Sequence, residues 1–549
     1  MRDLPALRRR PASADRSLTH QSTSALGLAA RLLHGLAIAC TIGAGLALSA
    51  QFIQSAVGAV GLAWPITHPE GATIAAILRV RDGQPLYQYF HEFPHLITPY
   101  PPVQPVLVGV ASRVLGLSIL ETIGLARSLT LASTLATTVL IWLVARRLGA
   151  GSLAALAGAS LFLPLPFLDE WGFAARPDVP AVAMSLLALL LLIVRPRQVW
   201  LAAIVAVLAL FTKQTAVALP VAATLWLLFT RQWLAAATFA VTWIVLTGSM
   251  VALLDAVTGG NYVLNTVQAH LNTPKNGFDL ALREFLPFFK DDWLPIGLAA
   301  AAVLLPGVRG RAALPLLYLS ASLGLALYSL RNTGGDVNYL IEPAAAACIP
   351  AALAIDWLWR AARRTPCADA SGVGSGGHQT PAEATFPLSL ARERGLGGGG
   401  PALALSGSIL LAAAAVIWAS GLWDFWRLDG GVDPTSRLPL AEIAAADTVL
   451  SEEPLAVILA GKELVVSDTF HLSMLTTSEF FDPLELERRI KRNEFDLIVM
   501  RSDVRAARWW KRQLLLPETV RLAIKDTYVP AGRVGMFWLY KPEERRTGR

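Results

Sequence analysis

The chain has 549 residues, of which 54% are hydrophobic and only 16% charged, and its mean hydropathy is +0.50. That balance excludes a soluble protein of this length, and continuous apolar runs without alternation exclude a β-barrel, which leaves a helical membrane bundle. The net charge of +7 sits in short clusters and not in a stripe interleaved with aromatics, so nucleic acid is not expected as a partner, and three cysteines supply neither a disulfide framework nor a CxxC metal site.

Residues 1–30 are basic (Arg2, Arg8, Arg9, Arg10, Arg16) and read as a cytoplasmic N-terminus ahead of an uncleaved anchor, because the next apolar run is long and lacks a small-residue cleavage site. A bilayer takes roughly 20 apolar residues per helical pass. Passes are predicted at 32–56, 128–145, 150–168, 179–194, 199–212, 215–230, 233–257, 293–306, 313–330, 340–359 and 402–423. With these passes every basic cluster faces the cytoplasm: Arg8 to Arg10, Arg146-Arg147, Arg195 with Arg197, Arg231, Arg309 with Arg311, and Arg360 with Arg363-Arg364. That parity requires the run 103–120 not to cross. It opens with Pro101-Pro102, is interrupted by Gln104-Pro105 and Arg113, and reads as an interfacial or re-entrant helix. Loop 65–127, turn 169–178, Lys213, loop 258–292 and loop 331–339 then share the outer face.

Residues 361–401, rich in Gly, Ser, Pro and Ala and ending near four consecutive glycines, read as a disordered cytoplasmic linker before the last pass at 402–423. Composition changes again over 440–545. Strand-like runs (Leu455 to Leu459, Glu463 to Ser467, Phe495 to Met500, Phe537 to Tyr540) alternate with helical patterns (Pro483 to Arg492, Val504 to Leu515), which predicts a small α/β domain outside the membrane. No glycine loop there could cradle a phosphate.

The polar, aromatic loop from His68 to Pro102 holds Glu70, His91, His95, Tyr87, Tyr89 and Tyr100 just after the first pass, which suggests a chemical site at the membrane surface. Glu70, beside Trp64 and Pro65, reads either as a partly desolvated general base or as a carboxylate favoured at a helix N-terminus. Asp169-Glu170-Trp171 and Arg176-Pro177-Asp178 crowd one short turn; such a group can hold a divalent cation or a phosphate, or simply mark topology. Lys213 interrupts an apolar stretch and suits a phosphate, with snorkelling as the competing reading. The loop Arg331 to Tyr339, with Asn338 and Tyr339, followed by Glu342 inside the next apolar run, suits a hydroxyl-rich ligand, and loop 258–292 is long enough to cover a site. No HExxH, GxSxG, P-loop or EF-hand pattern occurs, so the expected ligand is an activated lipid or a transported solute.

In this order, Glu70, "DGQPLY" at 82–87, "TPYPPV" at 98–103, "LARSL" at 125–129, "LVARRLG" at 143–149, "ARPD" at 175–178 and "FTKQTA" at 211–216 resemble the GT-C superfamily of polytopic glycosyltransferases. The likeness is to the bacterial group related to protein mannosyltransferases and aminoarabinose transferases. The resemblance implies an all-α polytopic membrane bundle of about eleven transmembrane helices, with 31–360 as catalytic domain, carrying the small C-terminal α/β extramembrane domain. It implies a polyprenyl-phosphate-linked sugar donor, an envelope glycan, lipid or protein as acceptor, and an inner-membrane location with the C-terminal domain outside. By position, Glu70 takes the base role, and Asp178 joins it as catalytic. Arg176, Lys213, His91, Tyr100, Asn338, Tyr339 and Glu342 are expected to bind substrate or phosphate, and Asp169 and Glu170 to offer a place for magnesium or manganese. One departure stands out: the family commonly carries aspartate or an Asp-Glu pair in the first loop, and here a single glutamate follows Pro69. Two other classes remain open: a transporter or flippase of lipid-linked saccharide, and a non-catalytic envelope assembly protein.

Overall fold

A computed structural model describes residues 14–305, 307–363, 400–428, 437–506 and 515–543. The cluster Arg8 to Arg10, nearly all of the linker and most of the predicted helix 504–515 lie outside the described residues. In chain order the bundle comprises α1 (Ala14–Val60), α2 (Glu70–Arg81), α3 (Val103–Leu115), α4 (Ile119–Arg147), α5 (Ser152–Ser160), α6 (Leu168–Trp171), α7 (Asp178–Val194), α8 (Val199–Thr212), α9 (Ala218–Phe229) and α10 (Trp233–Val257). Then follow α11 (Asn261–Val263), a π-helical stretch Leu264–Gln268, α12 (Ala269–Leu271), α13 (Phe278–Asp291), α14 (Trp293–Leu304), α15 (Val308–Ser329), a 3-10 turn Val337–Leu340, α16 (Ile341–Arg363) and α17 (Gly400–Leu428).

Among the described residues five stretches are long and apolar enough to cross a membrane: Leu28–Val60, Ile119–Arg147, Trp233–Val257, Val308–Ser329 and Val337–Ala362. Six shorter apolar helices join them, and the chain is a multi-pass membrane protein. Two boundaries differ from expectation. Helix α4 begins at Ile119 and not near 128, because Ser118 and Glu121 form a capping box that satisfies the first free N–H groups. The run 150–168 is helical only over Ser152–Ser160 and then turns at the proline-containing stretch Leu161 to Pro166.

Helix α16 is the centre of the bundle. Its membrane-length window is 89% buried, against 6% for α10, whose side chains face outward toward lipid. Alanines at 344–347, 351, 352 and 354 let α5, α14, α15 and α17 approach it closely. At the α5 contact, a Cβ on Gly158 would overlap Ala352, which has no flexible side-chain end to move aside. Gly158→Ala should therefore lower stability by about 1–3 kcal/mol, read as a lower melting temperature of the detergent-solubilised protein.

The C-terminal part folds as an α/β unit: α18 (Leu440–Ala445), β1 (Val449–Ser451), α19 (Pro454–Leu459), α20 (Thr469–Thr477), α21 (Leu484–Lys491), β2 (Leu497–Met500), α22 (Glu518–Thr527), β3 (Tyr528–Val534) and β4 (Phe537–Pro542). The sheet order is β1-β2-β4-β3, with β1 parallel to β2 and the other pairs antiparallel. The apolar run 455–459, expected as a strand, is helix α19, started by Pro454 and by the Glu453 carboxylate accepting from Leu455 N. The run 463–467 makes only an isolated bridge, between Val466 and His95.

That bridge belongs to a docking surface. Phe90, Ile97 and Ala269 of the bundle's loops share one apolar core with Leu472, Phe481 and Ile498 of the α/β unit. His95 N donates to Val465 O at 2.9 Å, and Ser467 Oγ donates to Ile97 O at 2.8 Å. The α/β unit thus sits on the end of the bundle that carries the polar loops.

Candidate active site

Glu70 opens α2 and is fully buried. Arg127, from the middle of the apolar helix α4, meets it with two parallel bonds: Nε to Oε1 at 2.9 Å and a terminal nitrogen to Oε2 at 2.8 Å. Backbone N–H groups of Ala175 and Ile66 donate to the same two oxygens at 2.8 and 2.9 Å. Arg127 uses its remaining N–H groups on the carbonyls of Ala59, Leu62 and Trp64. Four donors fill the carboxylate's lone-pair directions. Glu70, the expected base, is here half of a buried ion pair that ties α1, α2, α4 and the 172–177 turn together, with two donors on each of its oxygens.

The charges that remain gather around Asp178. Pro177 occupies the N-cap of α7 and sets Asp178 in the first turn, where the helix dipole favours a carboxylate. Helix α8 stops at Thr212, and the extended backbone of Lys213 turns its ammonium onto Asp178 Oδ1. Asn338, in the 3-10 turn, donates to the same oxygen at 2.6 Å. Arg176 Nε stands 3.5 Å from Asp178 Oδ2, and both of these buried atoms lack a hydrogen bond. Arg176 also donates to Tyr100 Oη at 2.5 Å and to Pro69 O at 3.1 Å, and its guanidinium lies against the rings of Tyr100 and Trp171 at 4.8 and 5.1 Å. Lys213 lies 4.7 Å from the Tyr339 ring centroid. Burial pushes the Tyr100 phenol above its usual range, so it keeps its proton as a donor. Two cations against one carboxylate leave a buried site of net positive charge.

Two spaces open from this cluster. A small chamber of about 20 Å³, room for about one water, is lined by Asp178, Lys213, Asn338 and Tyr339, and further in by Ser185, Ser329 and Glu342, the last accepting from Tyr318 Oη at 2.8 Å. A mostly apolar groove of about 320 Å³ runs between α3, α4, α7 and α8 along Leu107, Leu129, Ala136, Leu140 and Leu187. It ends at Thr212, the residue before Lys213, and at Gln104, a buried amide whose Oε1 and Nε2 have no partner. Across the cluster, Gln214 Nε2 reaches Pro99 O at 3.1 Å and His270 Nε2 at 2.8 Å. The His270 ring packs 5.1 Å from that of His471 on α20. Burial above all, then His471 and Lys213, push His270 down to about 3, so it stays neutral.

Of the residues expected at the site, Arg176, Asp178, Lys213, Tyr100, Asn338, Tyr339 and Glu342 come together. His91 does not: it stacks on Phe90 and packs against Phe480 and Phe481 of the α/β unit. Asp169 and Glu170 lie side by side on the short α6, and Glu170 is exposed. Among the described residues no three His, Cys, Asp or Glu side chains converge as metal ligands, and Asp178 is already claimed by cations. The residues present do not fit the expected magnesium or manganese. In the sequence Gln104 and Gln214 show only as interruptions of apolar runs and His270 only as part of the long loop 258–292, and the α20 segment carries no site signal. Arg127 was legible in principle, since a charge inside an apolar helix is costly and needs a partner.

Residues 101–257, which include α3, α4, α7 and α8, match the family described as dolichyl-phosphate-mannose-protein mannosyltransferase. Among solved structures, ArnT from Cupriavidus metallidurans bound to undecaprenyl phosphate is similar, with a TM-score of 0.56 and 14% identity over 91% of this chain and 98% of that one. Its apo state gives 0.56 and 15% identity, covering 89% and 96%. The fold is that of ArnT. A second structure, the archaeal oligosaccharyltransferase AglB from Archaeoglobus fulgidus in complex with an inhibitory peptide and a dolichol-phosphate, is similar with a TM-score of 0.51 and 10% identity, covering 93% of this chain and 75% of that one. No curated protein matches the chain in sequence. The ArnT likeness extends over both the bundle and the α/β unit on its polar end.

Proposed function

We propose that the chain is a membrane glycosyltransferase that moves a sugar from a polyprenyl-phosphate-linked donor to an envelope acceptor, at the outer face of the cell membrane. The carrying observation is the apolar groove that ends one residue from Lys213. A groove open to lipid suits a prenyl tail, and the cations that suit the phosphate begin one residue beyond its lining, at Lys213. The hydroxyls and Asn338 that line the small chamber beside them are groups that suit the hydroxyls of a sugar. In this reading the acceptor oxygen attacks the sugar C1 opposite the departing phosphate in one inverting displacement. Arg176, Lys213 and the Tyr100 hydroxyl stabilise the charge that grows on the leaving phosphate, in a site that excludes water. Asp178 holds the two cations in place when the site is empty. A transport pathway would need polar groups through the bundle, whereas the charged cluster lies at one end.

The test compares envelope glycolipids and glycans, by mass spectrometry, in cells with and without the chain. A sugar-bearing product that disappears with the chain supports transfer; identical profiles would remove it. The groove has its own test. Ala136 lines it without supporting the bundle's core, so Ala136→Trp should weaken undecaprenyl phosphate binding about 10-fold, near 1.4 kcal/mol, with the melting temperature held. Unchanged affinity would place the prenyl tail elsewhere.

A further inference from the structure

A displacement of this kind needs a proton acceptor at the acceptor's side of the site, and the carboxylates nearest the cations are engaged. Glu70 is closed by four donors. Asp178 is held by Lys213, Asn338 and Arg176. The two histidines at the rim are driven toward neutrality by burial, His270 down to about 3 and His471 below its ordinary value, which makes them weak acceptors.

We propose that Asp468, carried by the α/β unit, is the catalytic base that takes the proton of the acceptor hydroxyl. The segment around it is fixed to the site from several directions. Val465 and Ser467 bond to His95 and Ile97 of the first loop, Phe470 presses on Gly334 at the turn before Asn338, and His471 packs on His270 beside Gln214. Asp468 is the N-cap of α20: Oδ1 accepts from His471 N at 2.9 Å, and among the described residues none donates to Oδ2. It is half-buried and within charge-charge range of Arg176 and Tyr100, which bind the leaving phosphate in the reading above. In the step, the acceptor O–H proton passes to Asp468 Oδ2, the acceptor oxygen bonds to the sugar C1, and the C1–O bond breaks with its electron pair leaving on the polyprenyl phosphate. The inference deepens the transferase reading and rests on it. It makes the α/β unit part of the active site and not an appendage.

Asparagine caps a helix as well as aspartate does, so Asp468→Asn removes the proton acceptor and keeps the cap. The full-length chain and its variants are returned to cells lacking it, and the sugar-bearing envelope product is measured by mass spectrometry. The purified proteins are assayed for undecaprenyl phosphate binding and melting temperature. Asp468→Asn should lower the product about 100-fold or more, with undecaprenyl phosphate affinity kept or tightened and melting held, and Asp468→Glu should restore part of the product. Asp482→Asn, an exposed acid of the same unit that accepts from Leu484 N, should change nothing. Product within 3-fold of the parent in Asp468→Asn, or loss of product together with melting or lipid binding, would overturn the base role. A parent chain that restores no product would instead overturn the transferase reading itself, and the base with it.

Discussion

Replacing Arg127 with alanine will unfold the protein at a markedly lower temperature than the parent. Both members of the Arg127–Glu70 pair are fully buried, and removing one leaves the other as an uncompensated charge in the apolar bundle, at a cost of about 3–5 kcal/mol. Glu70→Gln should fall in the same direction. An amide has one acceptor oxygen where four N–H donors now converge, and its own NH2 would face Arg127 or the Ala175 and Ile66 amides. The double variant Glu70→Leu with Arg127→Met removes both charges together and should recover much of the loss. Melting curves of the detergent-solubilised proteins decide it. A Glu70→Gln protein that melts like the parent and yet transfers no sugar would restore Glu70 as the base.

The second large effect is expected at Lys213. Lys213→Ala removes one of the two cations just beyond the groove, and a charge-assisted hydrogen bond to phosphate is worth about 1.5–3 kcal/mol. Undecaprenyl phosphate should therefore bind about 10- to 100-fold more weakly. Transfer should fall further, by about 100- to 1,000-fold, since the interaction strengthens as charge grows on the leaving phosphate. Lys213→Arg keeps the charge but replaces a compact ammonium by a planar fork against Asp178 and Tyr339, and should recover binding more than transfer. Native mass spectrometry of the variants with undecaprenyl phosphate reads the first effect directly. Parent-like binding by Lys213→Ala would move the phosphate away from this cluster.

Much of the bundle is legible from local properties. Apolar runs locate α1, α4, α7 to α10 and α14 to α17, because each helix must satisfy its own backbone and either bury its side chains or expose them to lipid. Pro177-Asp178 and the helix-breaking Lys213 likewise mark themselves, as charges next to helix ends. The errors come where a local pattern has two solutions. The run 455–459 is apolar and β-branched enough for a strand, yet Pro454 and the Glu453 cap commit it to a helix. Glu70 is the clearest case at the site: a carboxylate after the first pass reads equally as a base or as a charge favoured at a helix N-terminus, and the ion-pair partner it has in the structure lies 57 positions away.

The sequence by itself determined that this is a polytopic helical membrane protein, and it marked Arg176, Asp178 and Lys213 as candidates beside helix ends. Hydropathy and helix-end chemistry are short-range properties, so they survive in the linear string. Only the tertiary structure decided which carboxylate is closed and which is open, because that depends on donors brought together from α1, α2, α4, α7 and the α/β unit. A buried charge takes its character from whatever surrounds it in space, and no periodicity in the chain encodes those neighbours.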